Sequence, residues 1–195
     1  SDDYREVINS ANEEVIAKVK SASKEDIDLA VQSANEAFDS WSQLDPKDRA
    51  SYLEQIAQGI EDRLDEIAET VVLELGSSRD FSQSAQAQNA VNEMRATLKD
   101  FADFSFVDQV DQGQVVKEGT GVVACITPWN FPLNQIQRKM TPALLAGNTV
   151  VVKPASETPL TAYILADIIH QVGLPKGVFN MVFGSGSSVG DYLVD

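Results

Sequence analysis

The sequence predicts an α/β protein in three stretches: N-terminal helices, a short β-rich piece, and the first part of a parallel sheet flanked by helices. Three observations predict it. Apolar runs without polar alternation, at 122–126, 149–153 and 178–183, are separated by helical segments, which is the pattern of parallel strands covered on both faces. The region before them carries long amphipathic helical repeats. The charge also changes along the chain: residues 1–110 hold 10 basic and 24 acidic side chains, and residues 111–195 hold 5 and 6. A solvated acidic surface followed by a mostly buried part accounts for that step.

The elements follow in order. Ser23-Lys24-Glu25-Asp26 is a capping sequence with Ser23 as N-cap and Asp26 at N3. Ile27, Ala30, Val31, Ala34, Ala37, Phe38 and Trp41 then recur at helical spacing. Asp45 followed by Pro46 starts a second helix. Leu53, Ile56, Ile60, Leu64, Ile67, Val71 and Leu75 keep one of its faces apolar, and Gly76 stands at C′. Gly59 is the expected weak point of this long segment. A third helical run, rich in Gln and Ala, covers 81–101, with Ala87, Val91, Met94, Leu98 and Phe101 on its apolar side. The glycine-containing piece 104–121 reads as hairpin or edge strands, which need something to pack on because an isolated hairpin is barely stable.

From Gly121 the pattern is strand, helix, strand. A helix over 133–145 ends at Gly147. Thr158 caps and Pro159 starts the next, and Gly173 and Pro175 stop it. Gly184-Ser185-Gly186 turns the chain toward a last helix. Right-handed crossovers are expected, with ligands at the carboxyl ends of the strands. Those ends are Thr127-Pro128-Trp129-Asn130, Lys153-Pro154-Ala155-Ser156 and Gly184-Ser185-Gly186. With three βα units written, the sheet reads as the first half of a Rossmann-like one, and the chain as a fragment cut inside a nucleotide-binding domain. The expected spans are 1–103 helical, 104–120 a β arm, and 121–195 the incomplete nucleotide-binding part.

Composition excludes several function classes. Over 195 residues the net charge is −15 and the isoelectric point about 4.3, so nucleic acid and anionic membranes are not expected partners. No apolar run of eighteen residues is present, and no membrane span is expected. One Cys and one His leave no internal disulfide and no multi-Cys or His-pair metal site, so no metal is expected. A free thiol with no signal-peptide pattern points to the cytoplasm. Cys125, inside an apolar run, reads as a core thiol.

GVVACITPWNFPLNQIQRKMTPALLAGNTVVVKPASETPLTA closely resembles the aldehyde dehydrogenase superfamily. The marks are the PWNFP element after one strand, a Lys on the following helix, the LAGN turn and VVVKP at the next strand end. GLPKGVFNMVFGSG fits downstream, and AFDSW and RASYLEQIAQGIEDR fit upstream. The resemblance implies an aldehyde dehydrogenase-like fold and the N-terminal portion of an NAD(P)-dependent enzyme that oxidises a small aldehyde to a carboxylic acid. Such an enzyme forms a homodimer or homotetramer through the 104–120 arm. A non-catalytic nucleotide-binding or assembly module on the same scaffold is the alternative.

The family's nucleophilic cysteine and general-base glutamate are absent from these 195 residues. Asn130, in PWNFP, matches the family's oxyanion donor; from that short element alone it reads as a turn residue. Ile126, Thr127, Pro128 and Trp129 match the cofactor-facing strand exit, and Lys153 and Ser156 the residues at the adenosine ribose. Gly184 and Gly186 match the stretch where the backbone nears the adenine. Many NAD-preferring members carry glutamate where Ser156 stands, so NADP as well as NAD is expected, with Glu157 the neighbour that could take over the role. Lys139 matches a family lysine that either tunes the catalytic centre or snorkels to solvent. Asn134 and Gln135, near the substrate entrance, hint at a polar aldehyde.

Overall fold

The computed structural model describes residues 3–194, so the outer ends of the expected spans, residues 1, 2 and 195, lie outside the described residues. The chain opens with a hairpin rather than directly with a helix: β1 (Tyr4–Ile8) pairs antiparallel with β2 (Val15–Lys20), with a bulge between Val7 and Ile8. Val7 and Val19 face inward, and Glu13 takes a positive φ of 61° in the connection.

Helix α1 (Lys24–Ser42) begins at the capping box: Ser23 Oγ accepts from Asp26 N at 3.2 Å, and the Asp26 carboxylate accepts from Ser23 N at 2.8 Å. Its buried side is Ile27, Ala34, Ala37 and Trp41, while Val31 is exposed. Helix α2 (Pro46–Asp62) starts after Asp45. The long segment does break, but at Arg63, where α3 (Leu64–Leu75) begins, and not at Gly59. Gly59 is a packing site: a Cβ there would lie 2.5 Å from Ile168 Cγ2. Gly76 ends α3 in the left-handed region at φ 79°.

The third helical run is composite. A single turn, α4 (Arg79–Phe81), passes into a π-helical turn (Ser82–Gln88) and then α5 (Asn89–Phe101). In the wider π turn, residues four and five apart share a face. Ser82, Gln86 and Ala87 are therefore buried together. A second hairpin follows, β3 (Val107–Val110) with β4 (Gly113–Val116), paired antiparallel from Val107 opposite Val116 to Val110 opposite Gly113.

The parallel sheet has the order β5 (Val122–Ile126), β6 (Thr149–Lys153), β7 (Phe179–Met181), joined by α6 (Pro132–Leu145) and α7 (Leu160–Val172). The third strand is shorter than its apolar run. Side chains alternate across β6: Val150 and Val152 join the large core with Cys125 and the apolar sides of α6 and α7, and Val151 joins Ile27 and Ala34 of α1 on the other face. Every residue of β6 is consequently buried, as a strand covered on both faces must be. A π turn (Gly186–Gly190) and α8 (Asp191–Val194) complete the described chain.

The connections to the sheet are tied by polar side chains. Asn148, last of the LAGN turn, accepts from the backbone N–H of Thr120 at 2.6 Å and of Gly121 at 3.2 Å, which fixes the start of β5. Trp41 Nε1 donates to the Leu144 carbonyl at 3.1 Å, and buried Arg49 donates to the carbonyls of Leu145, Ser42 and Leu44. The start of α7 differs from the expected Thr158 cap. The buried Glu74 carboxylate, from the end of α3, accepts from the N–H groups of Leu160 at 2.6 Å and Thr161 at 3.1 Å, and from the Thr161 hydroxyl. Burial raises the Glu74 carboxyl above its ordinary range, against the opposing pull of these donors. Thr158 is thereby free to reach another loop.

Candidate active site

β5 and β6 run in register to Ile126 opposite Lys153, so the loops after them leave the sheet side by side. Thr127 N donates to the Lys153 carbonyl at 3.2 Å and prolongs the pairing by one step. Thr127 is buried, Ile126 is 37% exposed and Trp129 54% exposed; Pro128 and Asn130 are open to solvent. The loop is held by its backbone. The Thr158 hydroxyl donates to the Trp129 carbonyl at 3.2 Å, and Gln86 Nε2 donates to the Asn130 carbonyl at 3.0 Å. The Phe131 ring meets Phe81 edge-on at 6.1 Å between centroids, and Pro132 opens α6. These contacts leave the Asn130 side chain on the open side.

Lys153 and Ser156 come together on one oxygen. Lys153 Nζ donates to the carbonyls of Pro154 at 2.9 Å and Gly184 at 3.2 Å, and Ser156 Oγ donates to the same Gly184 carbonyl at 2.8 Å. Lys153 is only 3% exposed. Burial lowers its ammonium below the ordinary lysine range; Glu157 works against that and Arg5 with it. The glycines of this region have separate tasks. Gly184, at φ 146°, lets the chain turn where a Cβ would strike Val189 at 2.4 Å, and Gly190 lies over the Lys153 stem. A Cβ on Gly186, by contrast, would meet nothing within 4 Å.

The N-terminal hairpin closes one side of this edge. Arg5 Nη2 pairs with Glu157 Oε1 at 3.0 Å, and Ala22 N donates to the Phe183 carbonyl at 2.8 Å. Arg5, Lys20, Ser156 and Gly184 share the wall of a small cleft there. Tyr163 stacks on Phe183 at 4.3 Å between centroids.

Several side chains stand apart from this edge. Cys125 lies inside β5, fully buried, and burial pushes its thiol up to about 11, the opposite of an activated thiolate. Asn134 is buried and accepts from Gln137 Nε2 at 2.6 Å, so its polarity is taken up within α6, and Gln135 beside it is half-buried. Lys139 and His170 are exposed. Among the described residues no group of three or more His, Cys, Asp or Glu could hold a metal, and no helix is long and apolar enough to cross a membrane. Gln86, Thr158 and Arg5 escape sequence reasoning as members of this edge. Gln86 is distant along the chain, Thr158 reads as a cap, and Arg5 sits in a hairpin whose connection lacks the Asn-Gly signal.

A parallel sheet with polar groups gathered at the carboxyl ends of neighbouring strands defines an α/β protein of the kind that takes its ligand in that crevice. The family model described as the aldehyde dehydrogenase family matches residues 1–195, and the chain belongs to that family. A 3-succinoylsemialdehyde-pyridine dehydrogenase of a Pseudomonas species is 41% identical over 186 residues, covering 95% of this chain and 39% of that one. A mutant of aldehyde dehydrogenase C from Pseudomonas syringae, solved with NAD+ and octanal, superposes with a TM-score of 0.96 at 40% identity, over 98% of this chain and 40% of that one. Lactaldehyde dehydrogenase from Escherichia coli gives 0.93 at 35% identity, over 99% and 41%. The chain thus spans about 40% of the length of the relatives it matches.

Proposed function

We propose that these residues form the N-terminal portion of an NAD(P)-dependent aldehyde dehydrogenase that oxidises a small-molecule aldehyde to the carboxylic acid. The observation that carries the reading is the register of β5 and β6, which sets the exposed Asn130 loop beside Lys153 and Ser156 on one edge. The Pseudomonas syringae relative, solved with both a dinucleotide and an aldehyde, supports it.

In this reading the Asn130 amide N–H stabilises the oxyanion that develops when the aldehyde carbonyl is attacked. Ile126, Thr127, Pro128 and Trp129 line the cofactor side of the strand exit. Lys153 and Ser156 hold the adenosine ribose, and Gly186 leaves room for the ligand. The residues fit such a group: among the described residues the buried Lys153 ammonium has two carbonyl acceptors for its three donors, and the backbone at Gly186 opens onto free space. When bound, NAD or NADP accepts the hydride. The nucleophile and general base are supplied by parts of the family's length that have no counterpart here. Nothing in the charge pattern invites nucleic acid or a membrane, and a cytoplasmic location fits the free thiol.

The direct test compares two proteins. The 195 residues alone are expected to produce no NAD(P)H from aldehydes, and a full-length protein containing them is expected to turn over. Turnover by the pure 195-residue chain overturns the reading, because Cys125 would then have to act from a buried strand. A full-length protein that binds dinucleotide but oxidises no aldehyde favours the non-catalytic alternative.

The reading extends to assembly. The β3–β4 hairpin exposes Val107, Val110, Val115 and Val116, an apolar surface whose outer strand edges are unpaired among the described residues. Its root is fastened to the body by Phe104 and Phe106, 5.0 Å apart between ring centroids and both against Phe101. The enzyme is expected to be a homodimer or homotetramer through this arm. Deleting about 107–118 is expected to give monomers or insoluble protein by size-exclusion chromatography with light scattering. A soluble, fully active tetramer after the deletion ends the assignment.

A further inference from the structure

The Asn130 loop is pinned on both sides of its exposed tip. Toward the N-terminus, Thr127 N and the Trp129 carbonyl are bonded to Lys153 and Thr158. Toward the C-terminus, Pro132 starts α6 with a ring-locked φ. Between these anchors lies the peptide joining Asn130 to Phe131, and its carbonyl is taken by Gln86. Gln86 is 3% exposed, and its place on the buried side comes from the π turn, which groups it with Ser82 and Ala87. Such turns occur often at functional sites. The neighbouring Phe81 ring braces Phe131 from the same helical segment. Among the described residues the Asn130 amide itself makes no hydrogen bond, so the backbone that carries it fixes the point and direction from which the side chain leaves the loop.

We propose that Gln86 is a positioning residue: its Nε2–H, by holding the Asn130 carbonyl, aims the Asn130 side-chain amide at the oxygen of the reacting aldehyde. The inference rests on the oxyanion role given to Asn130 above. A donor must lie within about 0.5 Å and 10–20° of its productive place to be effective. Rotation of a single unsecured peptide moves a side chain by more than that. A helical turn that need touch no reacting atom thereby governs the loop that does.

The test is a double-mutant cycle in the full-length enzyme. Gln86→Met keeps the volume and removes the donor. It is expected to lower kcat about tenfold, in line with the cost of misplacing a catalytic group, with the KM for aldehyde and the Kd for cofactor within twofold of wild type. In the Asn130→Ala background the same change is expected to alter kcat less than twofold, because nothing is left to aim. Gln86→Glu, of the same shape, runs through the same cycle, so a folding defect of the methionine variant does not decide the outcome. Its carboxylate is acceptor-only, and its kcat relative to wild type is expected to recover as pH falls and the buried carboxyl gains a proton to donate. Equal losses in both backgrounds mean a packing role and overturn the proposal, as does a wild-type kcat in both Gln86 variants. Wild-type kcat in Asn130→Ala alone overturns the oxyanion reading, and the proposal with it.

Discussion

Replacing Asn130 by alanine in the full-length enzyme is expected to lower kcat by roughly 10²–10³, or about 2.7–4 kcal/mol of transition-state stabilisation. The residue's surroundings make this a clean experiment. The side chain is exposed and makes no hydrogen bond among the described residues, whereas the loop is held through the carbonyls of Trp129 and Asn130 and through the Phe131 ring. Removing the amide leaves all of these in place, so the fold and the melting temperature are expected to be unchanged. Cofactor affinity is expected to change little, because Lys153 ends the neighbouring strand β6 and Ser156 stands on the loop after it. A turn residue behaves differently: its loss perturbs the loop and the stability and raises KM. Steady-state kinetics within twofold of wild type refute the oxyanion assignment.

Substituting Ser156→Glu is expected to raise the KM for NADP at least tenfold, about 1.4 kcal/mol, and to leave NAD nearly unchanged. A carboxylate facing the 2′-phosphate adds like-charge repulsion in a poorly solvated place. The structure bears on the competing role of Glu157. That side chain is about half exposed and paired with Arg5 at 3.0 Å, so its charge is offset and held toward the hairpin. The Ser156 hydroxyl hydrogen is directed at the Gly184 carbonyl, so the expected acceptance of NADP rests on the missing carboxylate and the nearby Lys153 ammonium. If Glu157 nevertheless governs the choice, wild type rejects NADP and Glu157→Ala relaxes it while Ser156→Glu has no effect. Kinetics of both variants with both cofactors separate the two cases.

Much of the architecture was legible from residue pattern. Ser23 with Asp26, Asp45 with Pro46, and Gly76 and Gly173 marked helix ends by local rules of capping and positive φ, and the structure places them so. Unbroken apolar runs marked the strands of the parallel sheet because a strand covered on both faces has no polar side to show. The PWNFP and VVVKP elements indicated the family and, through it, which residues to examine.

Other features were not local. The packing of Gly59 on Ile168 depends on α7, which lies about a hundred residues away, and the helix breaks instead after Asp62. The β1–β2 hairpin has no two-residue turn signal, and its connection depends on Glu13 in a left-handed conformation. The cap of α7 comes from Glu74 on another helix, because a buried carboxylate reaching two N–H groups satisfies that end and releases Thr158 to the Trp129 carbonyl.

The sequence by itself determined the class of protein, the positions of its strands, and the chemical types available at their ends. Those follow from solvation periodicity and backbone preference, which act over a few residues. Only the tertiary structure decided which of those groups meet: Lys153 and Ser156 on the Gly184 carbonyl, Arg5 on Glu157, and Gln86 on the peptide of Asn130. Hydrogen bonds require a partner within about 3 Å and a favourable angle, and proximity between residues 44 or 152 positions apart is created by packing alone.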